Sequence, residues 1–135
     1  MALTRGKMEL LASVSYPDGV VVRIDQIRNR VESGHGPGSY GGRTYVAVTL
    51  TVVNRSTTPI DLNEVVVTAT YGYPALVAPP VYEGPEAADF FGAAAPGASV
   101  SATYAFAIPP KNRAGATLQV DLDAAHDPAI FGGSR

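Results

Sequence analysis

The sequence predicts an all-β domain, a sandwich or barrel of seven or eight short strands, and three observations carry that reading. Residues 43–61 alternate with period two: Val46, Val48, Leu50 and Val52 fall on one face of an extended chain, and Tyr45, Thr49 and Thr51 on the other. The chain contains 14 Gly and 11 Pro, and they cluster between the apolar runs, so that turns recur roughly every ten residues. The apolar residues are largely Val and Ala, interleaved with Thr, and no stretch has convincing helical spacing.

In chain order, residues 9–15 form a short first strand, broken at Tyr16-Pro17-Asp18-Gly19, whose Pro and Gly suit a tight turn. Residues 20–28 follow, with Val20, Val22 and Ile24 facing one way and Ile27 out of phase; a bulge near Asp25 or Gln26 explains the slip. Residues 33–42 hold five glycines and read as a loop. The strand at 43–54 ends at Asn54, which opens a polar turn closed by Pro59. Residues 64–71 carry β-branched side chains on both faces, as a central strand does. Gly72-Tyr73-Pro74 then turns the chain into residues 75–82, an edge strand interrupted by Pro79 and Pro80. Residues 83–97 are a long connection with Phe90-Phe91 as its apolar plug, Phe91 capping the sandwich end. Residues 99–109 send Val100, Ala102, Tyr104, Phe106 and Ile108 inward, with Ser101, Thr103 and the alanines outward. After a turn at 111–115, residues 116–123 send Leu118, Val120 and Leu122 inward, and residues 128–131 add a last short strand or plug the core.

At 135 residues, positions 1–135 form a single domain, with residues 1–19 as an N-terminal strand or arm. The absence of cysteine excludes disulfides and thiol chemistry. A formal charge of -2 with no basic run longer than two excludes a nucleic-acid surface. No apolar run approaches the roughly 18–20 residues that cross a bilayer, so membrane insertion is not expected. Leu10-Leu11-Ala12 is too short for a signal peptide and no lipid-accepting Cys follows; either the chain is cut from a longer secreted protein or it does not enter the secretory route.

The order of motifs adds a resemblance. A glycine-rich lead into Arg43-Thr44-Tyr45-Val46-Ala47-Val48-Thr49-Leu50-Thr51-Val52-Val53-Asn54 is followed by a polar turn and Pro59-Ile60-Asp61-Leu62. Ala95-Pro96-Gly97-Ala98-Ser99 then opens a strand ending Tyr104-Ala105-Phe106-Ala107-Ile108-Pro109. Over about residues 20–131 this resembles the DUF4352-type immunoglobulin-like domains of actinobacterial lipoproteins and secreted proteins, related in fold to the MPT63-like antigens. The resemblance implies an immunoglobulin-like antiparallel β-sandwich of seven or eight strands, an extracellular or cell-envelope location, and a binding or structural role without catalysis. The chain lacks the leader and lipidated Cys of many such proteins, and the Cys and Trp pattern of antibody-type domains.

Candidate sites are few. The loop 34–42 has no Lys and enters a strand, so it is not a phosphate cradle; with His35 and Tyr40 it is a candidate contact surface. Tyr73, Tyr82 and Phe90, beside a Pro-interrupted edge, form a candidate protein contact. Asp121, Asp123 and His126 are the densest set of possible metal ligands, set against a reading of the aspartates as solvated outward residues. Glu83, Glu86 and Asp89 are a second acidic set without the spacing of a known calcium loop. The two histidines, His35 and His126, are the bases available, and there is no Gly-x-Ser-x-Gly elbow, which points away from an enzyme; no cofactor is called for. The expected function is a non-catalytic binding, adhesion or scaffolding module of the bacterial envelope with a protein partner. The rival expectation is a self-assembling structural subunit, such as a virion decoration, a tail-associated protein or a filament subunit, for which Met1, the missing leader and the low charge speak.

Overall fold

Eleven strands are present among the residues that the computed structural model describes, 5–6, 12–31, 44–81, 89–113 and 115–132. They are β1 (Arg5–Gly6), β2 (Ser13–Ser15), β3 (Val20–Val31), β4 (Thr44–Asn54), β5 (Ile60–Asp61), β6 (Val66–Tyr71), β7 (Leu76–Val77), β8 (Ala93–Ala94), β9 (Ser99–Phe106), β10 (Thr117–Asp121) and β11 (Ala129–Gly132). The helical content of these residues is two single 3-10 turns, Leu62–Glu64 and Pro110–Asn112. One sheet has the order β1-β11-β10-β6-β7, the other β2-β3-β4-β9, and β5 pairs with β8 as a small third sheet. The expected β-sandwich is therefore what the chain forms. Its pairings are antiparallel but for β1 and β11, which run parallel with Arg5 opposite Ile130 and Gly6 opposite Phe131.

The core forms because the inward faces of the two larger sheets are almost wholly apolar. Val20, Val22 and Ile24 of β3 and Val46, Val48, Leu50 and Val52 of β4 make one wall, and Ala69, Leu118, Val120, Ala129 and Phe131 make the other. None of them is more than 2% exposed. Each of the larger side chains stabilises the fold by about 1.5–3 kcal/mol relative to an exposed position. In β3 the register shifts between Ile24 and Gln26, leaving Asp25 with no residue opposite it in the β4 ladder, though its carboxylate accepts from the Thr51 hydroxyl; this bulge puts Ile27 back against the core.

Two connections add backbone bonds outside the strand ladders. In the turn between β2 and β3, Gly19 N–H donates to the Tyr16 carbonyl at 3.0 Å and Arg55 N–H to the Gly19 carbonyl at 3.1 Å, so the turn leans on the chain leaving β4. On the other flank, the chain leaves β7 and crosses to β9. The Val81 N–H donates to the Ala105 carbonyl and the Ala107 N–H to the Pro79 carbonyl, both at 2.9 Å. The prolines confine this segment to the edge, since neither can donate to a ladder.

Two expectations about side chains need correction. Phe91 is 79% exposed and does not cap the core; Phe90 is the buried one. Successive side chains of an extended segment point to opposite sides, so one Phe of the pair enters. The Phe90 N–H is fixed by the Tyr104 hydroxyl at 2.9 Å, with the two rings 6.0 Å apart. The outward positions Tyr45, Ala105 and Ala107 lie on the expected face, yet they are buried there with Ala47 and Val81 in a second small cluster.

Candidate functional site

The candidate contact surface starts from a mismatch in strand length. β6 runs six residues, but β7 pairs with only its last two, Thr70 and Tyr71, and the Ala78 N–H adds one bond to the Ala69 carbonyl at 2.8 Å. On this side residues 66–68 have no strand partner among the described residues. Beside that edge, between β6 and β9, lies a groove of about 320 Å³ lined by Val65, Val67, Val77, Ala78, Tyr104 and Phe106, with Asp89 as a charged member. Val66 and Leu76 are more than half exposed, Val77 is 69% exposed, and Tyr73 stands 97% exposed at the turn between β6 and β7. Burial holds the Tyr104 phenol above its ordinary value; the Phe90 N–H opposes this and Asp89 adds to it.

Of the aromatic contact candidates, Tyr73 is therefore free to touch a partner, whereas Phe90 is held in the interior and is not. His35, Tyr40 and Tyr82, with Glu83 and Glu86 of the second acidic set, lie outside the described residues.

The candidate metal ligands are arranged differently from a cation centre. The His126 Nδ1 is 2.7 Å from Asp123 Oδ1, and Nε2, on the opposite side of the ring, is 2.7 Å from Asp18 Oδ2. Asp121 instead accepts from Gln119 Nε2 at 3.0 Å. Among the described residues no three metal-ligating side chains converge, and both imidazole nitrogens already face carboxylates.

Tyr16 completes the cluster. Its hydroxyl donates to the Asp127 carbonyl at 2.6 Å, and its ring meets His126 edge to face at 4.9 Å. Together with Pro17, Asp18, Ala125 and Asp127 these two residues line a shallow depression of about 270 Å³. Burial, then the carboxylates of Asp127, Asp121, Asp123 and Asp18, push the Tyr16 phenol up to about 12. Burial alone lowers the affinity of His126 for its proton, but the hydrogen bonds to Asp123 and Asp18 outweigh it and raise the imidazole above its usual value. Burial likewise raises Asp18, and the His126 and Val20 hydrogen bonds more than reverse it, leaving that carboxyl lowered.

Asp18 and Tyr16 are the members of this cluster that reading the sequence misses. Asp18 lies 108 positions from His126, and within its own turn it looks like ordinary turn chemistry. The signal that was present is the crowd of carboxylates around a single imidazole at 121–127, more than one histidine needs locally.

No protein-family model matches this chain, and no curated protein matches it. Solved structures do share its fold. The yjhA protein from Bacillus subtilis superposes with a TM-score of 0.72 at 11% identity, over 92% of this chain and 97% of that one. An uncharacterized β-sandwich protein from Clostridium difficile 630 superposes with a TM-score of 0.54 at 10% identity, over 97% of this chain and 95% of that one. At such identities the likeness is one of architecture: this chain is similar to bacterial β-sandwich proteins along nearly its whole described length.

Proposed function

We propose that this protein is a non-catalytic binding module that takes an extended segment of a protein partner along the edge of β6 that lies beside the groove. The observation that supports this best is the stretch at residues 66–68, which among the described residues has no strand partner on this side, beside an apolar groove. An incoming strand there gains main-chain hydrogen bonds from the edge and sets alternate side chains into the groove. Asp89 at the groove favours a segment flanked by Lys or Arg. The companion proposal, a DUF4352-type envelope domain, rests on the order of motifs in the sequence. A second reading uses the same exposed residues, Val66, Leu76 and Val77, to join copies of the chain into an assembly.

Selecting displayed linear peptides on the folded protein tests the main reading. Enriched sequences are expected to alternate apolar and polar residues beside a basic flank, and to bind a Leu76→Glu/Val77→Glu variant at least ~10-fold more weakly. That variant should keep its stability to within about 0.5 kcal/mol, because both side chains are exposed. Peptides that bind both proteins alike overturn the proposal. Light scattering that shows multimers dissolved by the same variant favours the assembly reading. Protease shaving of intact cells producing a tagged full-length chain checks the envelope placement.

A further inference from the structure

The cluster around His126 joins parts of the chain that belong to different sheets. Asp18 sits in the turn from β2 to β3, in the four-stranded sheet, and Asp123 and His126 sit just after β10, in the five-stranded one. We propose that Asp18, His126 and Asp123 form a proton-dependent clasp that, beside the Tyr16 bond to the Asp127 carbonyl, ties the β2–β3 turn to the chain after β10 and lets Asp18 go when the imidazole becomes neutral.

The argument is one of donor counting. Carboxylates only accept, and both imidazole nitrogens face a carboxylate oxygen at 2.7 Å. Imidazolium donates to both at once, whereas neutral imidazole has one N–H and sets a lone pair against the other carboxylate. The Asp123 side is the one that stays. Asp123 also accepts from the Ala125 N–H at 3.0 Å and its side chain is 20% exposed, against 47% for Asp18, which water can readily rehydrate. Release of Asp18 reaches its neighbours, because its other oxygen holds the Val20 N–H at 3.1 Å.

Among the described residues, the charged and titratable groups shown to face His126 are Tyr16 and Asp18 from the β2–β3 turn and Asp123 from the chain after β10; Asp121 and Asp127 add negative charge around Tyr16. Asp123 and Asp18 favour the protonated ring and agree in direction with its raised proton affinity. The clasp is complete where His126 is charged and Asp18 ionised. It is lost as the pH climbs through the raised value of His126, and again in acid as it falls through the lowered value of Asp18.

The test follows the His126 ring and the Asp18, Gly19 and Val20 amides by NMR from about pH 5 to about pH 9 in chelator, in the wild type and in Asp18→Asn. The amides are expected to move with the midpoint of the His126 ring, and Asp18→Asn should lower that midpoint. The melting temperature of the wild type should fall by about 4 °C between the two ends of that range, and that of the variant by less. Asp18 is surface-exposed, so the variant folds; His126→Gln, with no titration at this position, serves as the second check on the melting profile. Amides of residues 18–20 that ignore the His126 midpoint, or equal melting profiles in all three proteins, overturn the clasp.

Discussion

At the scale of single residues, Asn54 carries a disproportionate share of the structure. Its side chain is fully buried, yet every polar atom on it is satisfied. Nδ2 donates to the Thr58 and Ala94 carbonyls, each at 2.8 Å, and Oδ1 accepts from the Ser56 N–H at 3.0 Å and the Ser56 hydroxyl at 2.6 Å. Its backbone adds bonds to Ala98 and Gly97. One amide thus holds the turn after β4, the strand β8 and the turn before β9. Asn54→Ala is expected to cost about 2–4 kcal/mol, read as a lower urea midpoint at unchanged slope, because two carbonyls, a backbone N–H and a hydroxyl lose their bonds to the side chain. Asn54→Asp should cost at least as much, since a carboxylate there faces two carbonyl oxygens. The sequence shows Asn54 as a turn opener, because that role is local. Its grip on Ala94, 40 positions away, leaves no local trace.

At the scale of elements, what was legible followed from periodicity. The inward face of β4, the bulge near Asp25 and the interruption of the edge segment at Pro79-Pro80, where a short strand at Leu76–Val77 is followed by a single bridge from Pro80 to Phe106, each arise from short-range rules. The two-residue strands β1, β5 and β8 were not legible, because a pair of residues becomes a strand only through its partner. Similarly, nothing in Phe90-Phe91 says which ring the interior accepts. The β2–β3 turn offers a sharp test of local geometry. Gly19 has φ 102°, and a β-carbon there would lie 2.8 Å from the Arg55 carbonyl oxygen; Gly97 has φ 86° with open space around it. Gly19→Ala is therefore expected to lose about 2–3 kcal/mol and Gly97→Ala about 1 kcal/mol, measured side by side by chemical denaturation. Equal losses would mean that the turn does not lean on Arg55.

At the scale of the whole molecule, the sandwich itself was readable, since two apolar walls can bury each other in few ways. The candidate sites were less so: the clasp partner of His126 and the groove beside the edge of β6 are products of distant chain segments meeting. The same holds for the parallel pairing of β1 with β11, which joins the first described strand to the last. That pairing has a mechanical consequence. Tension applied to the two ends drags β1 lengthwise along β11, so their hydrogen bonds are loaded in shear and break together instead of unzipping singly. In single-molecule stretching, deleting residues 1–6 should lower the rupture force of the first event. A chain so joined resists being drawn out from its two terminal strands until that pairing gives way.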